Sequence, residues 1–216
     1  EQEVLRKLAT SKIVDGIIIT RPLVDDPRIS LLRDIGIPFV VHGRSDVDLP
    51  YSFVDIDNTA VFEKLAGVLL DYGHERIAVF NSFLRFRYAH ARQEGFLRAL
   101  AARGRDADPG LVFETSMTEQ AGYELAFRLL SSENPPTAFL CGSIFLAQGV
   151  YRAVTESGLR VGRDVSVVAH DDGLRGVKAA EFDPPLTATF RSVREAGEHL
   201  ADILIDFVET GRDKEP

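Results

Sequence analysis

The chain has 216 residues, 45% hydrophobic and 27% charged, the composition of an ordinary folded protein with room for one large domain or two small lobes. Its 25 Lys+Arg against 33 Asp+Glu leave a formal net charge of -8, which argues against a nucleic-acid groove or an anionic membrane as the main partner of these residues. The single Cys141 excludes an internal disulfide, and no apolar run approaches the roughly 20 residues that span a bilayer.

Residues 1–7 are charged and lack the apolar stretch of a signal peptide, which points to the cytoplasm. Residues 1–9 read as the last turns of a helix that feeds a strand. Apolar, β-branched runs then recur at residues 14–20 (VDGIIIT), 38–43 (PFVVHG), 76–82 (RIAVFNS), 137–143 (TAFLCGS) and 165–172 (VSVVAHDD). Their nearly continuous hydrophobicity, bounded by Gly, Pro or polar residues, is that of parallel strands covered on both faces. Helical periodicity fills the gaps: Val61, Leu65, Val68, Leu69 and Tyr72 share a face behind a possible cap at Asp57. Ser116 with Glu119 predicts a capping box for a helix carrying Leu125 and Leu129. Ser192 with Glu195 predicts another, ahead of Val193, Ala196, Leu200, Leu204 and Val208. Strand alternating with helix predicts right-handed crossovers and a doubly wound α/β architecture.

In such sheets ligands bind outside the carboxyl ends of the strands. The residues expected there are Thr20-Arg21, His42-Gly43-Arg44, Asn81-Ser82, Gly142-Ser143 and His170-Asp171-Asp172, with Phe83, Phe86 and Phe190 nearby. Charged and hydroxyl groups that bridge vicinal hydroxyls, beside rings that cover C–H faces, suit a polyol or sugar. No GxGxxG, GxxxxGK[ST] or GxSxG segment is present, and the scattered histidines have no metal-ligand spacing. His170 beside Asp171 keeps an α/β enzyme as a minor alternative, but neighbouring strand residues point to opposite faces. The expectation is a binding protein that is not an enzyme and uses no cofactor and no metal.

The ordered segments resemble the effector-binding region of the lactose-repressor (LacI/GalR) family of bacterial transcription regulators. They are VDGIII, GIPFVVHGR, VDIDN, GHERIAVF, RQEGFLRAL, PTAFLCGSIFLAQGVYRAV, DVSVVAHDD and PPLTATFRSVREAG, and together they cover nearly the whole chain. The resemblance implies a two-lobed, periplasmic-binding-protein-like type I fold with parallel sheets flanked by helices. One lobe would hold residues 1–73 plus 191–210, the other 74–190, with an effector between them. It further implies a homodimer, and operator DNA bound through a helix-turn-helix domain that lies outside these residues. Effector binding would shift the geometry of the dimer and with it operator affinity. A periplasmic sugar receptor for transport or chemotaxis shares the fold and is the alternative.

By the same resemblance Arg92 bridges effector hydroxyls, Asp171 accepts from them, and Ser143 stands at a ligand-contacting position. The chain departs from the family pattern at Ile144 (usually Asp), His170 (usually aromatic), Arg191 (commonly Gln) and Asn81-Ser82-Phe83 (usually a Gly-rich loop). The expected ligand set is therefore Arg92, Asp171, Ser143, Arg191, His170, Asn81, Phe83 and His42. Gaining Arg191 and His170 while losing an acid at 144 favours a larger or anionic sugar. Phe145, Leu146, Val150 and Leu174 are the candidates for the dimer interface.

Overall fold

The computed structural model describes residues 2–11, 13–174 and 176–211, and they form two compact units. The first comprises Glu1–Ile56, Arg85–His90 and Val193–Pro216; the second comprises Asp57–Leu84 and Ala91–Ser192.

In the first unit β1 (Ile17–Thr20), β2 (Phe39–His42) and β3 (Phe53–Val54) form a parallel sheet in that order, with Ile19 opposite Val41 and His42 opposite Val54. Ile19, Phe39, Val41 and Tyr51 from this sheet region pack with Ile29 and Leu32 of helix α2 (Pro27–Ile35). Helix α2 starts where the sequence chemistry allows: Asp26 caps it through the Arg28 N–H, Pro27 occupies the first turn, and Gly36 ends it in the left-handed region. Helix α1 (Gln2–Thr10) lies against α2, and helix α7 (Val193–Thr210) packs on the sheet. Leu204 of α7 comes close enough to Gly16 that an added Cβ would sit 2.7 Å from its Cδ1.

The second unit holds a parallel sheet in the order β5-β4-β6-β7-β8. Its strands are β4 (Ile77–Asn81), β5 (Val112–Glu114), β6 (Ala138–Cys141), β7 (Ser166–Asp171) and β8 (Thr187–Phe190). Alternation splits the strands between two cores. Ile77, Val79, Ala138, Leu140 and Val168 face helices α3 (Asn58–Asp71) and α4 (Arg87–Ala101) through Phe62, Leu65, Leu69 and Phe96. Phe80, Phe139, Cys141 and Ala169 face helix α6 (Ile144–Glu156) and helix α5 (Glu119–Leu130) through Ala126, Leu146 and Val150. Both faces are therefore apolar, which is why these strands read as continuous hydrophobic runs.

Several expectations shift. The lobe division expected after residue 73 falls at Ile56 instead, because α3 buries Phe62, Leu65, Ala66, Leu69 and Leu70 with the strands of the second unit. Burial of each large side chain there contributes about 1.5–3 kcal/mol, so the helix goes with that sheet. Helix α5 is capped by Thr118, which accepts from the Ala121 N–H, and not by Ser116. The caps at Asp57 and the helix start immediately after Ser192 lie where the sequence placed them. Leu146 and Val150 are fully buried in the core of the second unit, so neither is exposed to meet a second copy; Phe145 is half-buried and Leu174 is exposed. Ile144, standing where an acid is common, is 1% exposed and packs into that same core.

Candidate functional site

In the second unit the chain steps from β4 to the edge strand β5 and then back across to β6, so the strand order reverses beside β4 and β6. The crevice at the carboxyl ends of two such strands is the preferred ligand position of open α/β sheets. Arg92 lies at this edge. It sits in the second turn of α4, which begins at Arg87, and is only 4% exposed, in contrast to a solvated residue at a helix start. Its Nε donates to Asn58 Oδ1 (2.9 Å) and its Nη1 donates to the Gly142 carbonyl at the end of β6 (2.8 Å). The guanidinium carbon is 5.5 Å from the centre of the Phe62 ring. One buried cation thus ties the start of α3 to the end of β6, and such charged hydrogen bonds contribute about 1.5–3 kcal/mol each. Gly142 leaves the room: a Cβ there would meet the Met117 methyl at 2.9 Å and the Phe80 carbonyl at 3.1 Å.

The remaining expected residues of this unit line the same strand ends. Asn81 ends β4, is 2% exposed, and accepts from the Ser82 N–H through Oδ1. Phe83 follows, half-buried, and the next residue is pinned by the Leu84 N–H donating to Glu114 at the end of β5 (2.7 Å). Ser143, 3% exposed, caps α6 by accepting from the Phe145 N–H (3.2 Å). Asp171 ends β7, is 6% exposed, and accepts from the Gly173 N–H (2.8 Å). Its backbone carbonyl accepts from the Arg191 N–H (3.0 Å). Gly173 has φ +68, and a Cβ on it would sit 3.1 Å from the Phe190 ring, so glycine is required both by the backbone and by that contact. Phe190 itself is 55% exposed, an aromatic surface next to a carboxylate.

One member differs from expectation. His170 is fully buried: its Nδ1 is 2.9 Å from the Thr189 hydroxyl, and its Nε2 is 3.0 Å from Asp172 Oδ1, without the alignment of a hydrogen bond. The ring therefore joins β7 to β8 and offers no exposed nitrogen to a ligand. Pleating explains this, because residue 170 points to the face opposite Asp171, with 172 on its own side. Arg191 is exposed, and its Nη1 donates to the Phe190 carbonyl (3.1 Å).

His42 belongs to the first unit, at the half-buried end of β2, among a second set of polar strand ends. Here Arg44 lies 4.4 Å from the Phe53 ring centre and 3.9 Å from Asp55. Burial raises the Asp55 carboxyl above its ordinary range, against the pull of the Ile56 N–H and the charges of Arg44, His42 and Arg87. Arg87 pairs with Asp46 at 2.6 Å. Asp55 in the first unit and Asn58 in the second are polar groups that the strand-end reading did not single out. Both lie in the VDIDN segment, which carries the family resemblance and the cap Asp57. Among the described residues no group of three or more His, Cys, Asp or Glu is placed to hold a metal.

Parallel sheets whose carboxyl ends collect a buried arginine, carboxylates, a serine, an asparagine and the exposed Phe190 ring have the arrangement expected of a ligand-binding α/β protein. Residues 66–216 match the family model described as "Periplasmic binding protein-like domain". The chain is 44% identical over 207 residues to the HTH-type transcriptional regulator AglR of Rhizobium meliloti (strain 1021), covering 95% of this chain and 58% of that protein. Among solved structures it resembles a complex of the transcriptional regulator CelR with cellobiose (TM-score 0.86, 29% identity, covering 100% of this chain and 65% of that one). It also resembles a LacI family transcriptional regulator from Enterococcus faecium with bound ribose (TM-score 0.82, 26% identity, covering 99% and 77%). The chain belongs to the family of periplasmic-binding-protein-like effector-binding domains of LacI-type transcription regulators. It spans less than two thirds of the length of the relative it matches at 44% identity.

Proposed function

We propose that this chain senses a carbohydrate effector on behalf of a LacI-type regulator, and that effector binding changes the affinity of the whole protein for operator DNA. The observation that carries this reading is the buried Arg92 at the carboxyl ends of the second unit's strands, with Asp171, Ser143 and Asn81 at the same edge. An arginine fork and a carboxylate on one rim supply donors and acceptors for a neutral hydroxyl-bearing ring, and Phe190 supplies an apolar face. The sugars bound in the CelR and Enterococcus faecium structures agree in class.

The mechanism is one of differential binding. A sugar alters operator affinity only to the extent that it binds two states of the regulator with different affinities, and typical couplings are about 1–3 kcal/mol. Within the site, Arg92 is held by Asn58 and Gly142, so its orientation is set before the ligand arrives and little ordering entropy is lost on binding. The protein works as a homodimer in the cytoplasm, with exposed Leu174 and half-buried Phe145 as the apolar residues left to contribute to the pairing. The AglR relative is an HTH-type transcriptional regulator, which favours this reading over a transport receptor.

The test is calorimetric titration of a neutral sugar panel, including cellobiose and ribose, into the wild-type chain and Asp171→Asn. The substitution keeps an oxygen for the Gly173 N–H while removing the charged acceptor. Binding by the wild type that falls at least tenfold in the variant supports the site. Equal affinities in both would move recognition elsewhere. With the full-length regulator, a sugar that binds without altering its affinity for operator DNA would refute the sensing role.

A further inference from the structure

The first unit contains a second feature aimed outward from strand ends. Arg21 follows β1 directly and is the only non-glycine residue with positive φ (51°) among the described residues. That conformation is uncommon for a side chain of this size and persists only where its surroundings hold it. The surroundings do so through a buried network. Arg28 Nη2 donates to the Thr20 and Arg21 carbonyls (3.2 and 3.3 Å) while the same guanidinium grips Asp26 (2.7 Å). Asp26 is fully buried and also accepts from the Leu23 and Arg28 N–H groups. The Asp26 N–H donates to Ser45, whose hydroxyl donates to the Val24 carbonyl, and Tyr51 hydrogen-bonds the Ser45 backbone at both N and O. Pro22 fits over Gly43, where a Cβ would meet its ring at 3.1 Å.

What this network presents is an exposed guanidinium over an aromatic ring. The Arg21 Cζ lies 4.3 Å from the centre of the Phe86 ring, and Phe86 stacks on Tyr88 with 6.0 Å between centroids and 14° between planes. Phe86 is held in turn by its antiparallel bridge to Leu23 and by hydrogen bonds from Val24 N to Arg85 O and from Arg87 N to Pro22 O. A guanidinium over a ring is held by cation–π attraction and keeps its N–H donors for polar partners; Arg85 approaches the same ring at 5.0 Å. Arg21 is exposed, and no carboxylate lies within ion-pair distance of it among the described residues.

We propose that Arg21 is a specificity-determining residue of the first unit, donating two parallel hydrogen bonds to a vicinal diol of a carbohydrate effector. This rests on the carbohydrate-sensing reading above. A neutral diol fits better than an anion because the same row of strand ends carries acid. In the parallel register Thr20 pairs with His42 and His42 with Val54, so Arg21, Gly43 and Asp55 are the next residues of adjacent strands. Asp55 there adds a carboxylate acceptor to the row, beside Arg44 at 3.9 Å. This row revises the preference for an anionic effector that Arg191 and His170 suggested, since the ring nitrogens of His170 are turned to Thr189 and Asp172.

The experiment is titration of cellobiose, ribose and glucuronate into the wild-type chain and into Arg21→Lys, Arg21→Met and Arg21→Gly. We expect all three variants to lose roughly tenfold or more in affinity for the neutral sugar that the wild type binds, Lys included, because a point charge cannot reproduce the fork. Arg21→Gly adopts positive φ without cost, so its melting temperature should match or exceed that of the wild type, which separates lost contact from lost folding. Neutral-sugar affinities within twofold of wild type would overturn the assignment while leaving the sensing role intact. Preferential binding of glucuronate that Arg21→Lys retains would overturn the diol in favour of an anion. A wild-type chain that binds none of the sugars would overturn the sensing reading and this assignment together.

Discussion

Arg92 has two duties that pull a simple substitution test in opposite directions. Replacing it with Ala removes the expected ligand contact, but it also strips Asn58 Oδ1 and the Gly142 carbonyl of buried donors. An unsatisfied buried acceptor costs about 1–3 kcal/mol, so Arg92→Ala should lower the unfolding free energy by about that amount in urea titration as well as abolish sugar binding. Asp171→Asn, which spares the Gly173 hydrogen bond, should lose binding with little change in stability. A residue's type and family resemblance marked Arg92 as a ligand contact. Its burial was not legible, because it depends on Asn58 and the Gly142 carbonyl, 34 and 50 residues away in the chain, being brought to its guanidinium. His170 illustrates the converse. Its position beside Asp171 looked functional, yet the period-two alternation of a strand sends it to Thr189 and Asp172.

At the scale of elements, close approach and strand linkage dominate. Helices α5 and α6 cross where Gly122 meets Gly149, and a Cβ on Gly149 would lie 2.0 Å from the Glu119 carbonyl oxygen. Backbone cannot yield as a side chain can, so Gly149→Ala should destabilise by about 3 kcal/mol or more, read as a fall in the chemical-denaturation midpoint. His74 joins the starts of three strands: its Nδ1 is 2.9 Å from Thr137 Oγ1, ahead of β6, and its Nε2 is 2.8 Å from Ser166 Oγ, the first residue of β7, while its own chain leads into β4. Burial lowers its pKa below the ordinary 6.5. The neutral ring is thus the folded form, and its contribution is complete above about pH 6.5 and lost as pH falls through the lower folded value. Denaturation of wild type and His74→Gln across pH 5 to 8 should show a difference in stability that shrinks toward the acidic end. The long strands and α3, α5 and α7 were legible from apolar runs and periodicity. The short β3 and β5 were not, since two or three residues carry too little pattern to stand out from a loop.

For the molecule as a whole, occupancy by effector should appear as stability. A sugar at about 100 times its Kd adds about 2.7 kcal/mol, which in a protein of this size raises the melting temperature by about 5–10 °C. A screen by thermal shift should therefore find the effector class directly, and an effect absent in Asp171→Asn would tie it to the second unit's strand ends. Association is checked separately: Leu146→Asp should unfold the chain, because it places a charge in the core, whereas Leu174→Glu should leave the melting temperature unchanged and weaken self-association in sedimentation. The sequence by itself determined the architecture, because strands buried on both faces must be apolar throughout and helices flanking them must be periodic. It also determined the family, through ordered segments covering nearly the whole chain. Tertiary structure decided which sheet α3 joins, which polar groups at the strand ends are consumed by structure, and that Arg21 lies over Phe86. Those outcomes depend on which residues far apart in the chain compete to bury the same surface or satisfy the same polar atom, and one-dimensional spacing carries no record of that competition.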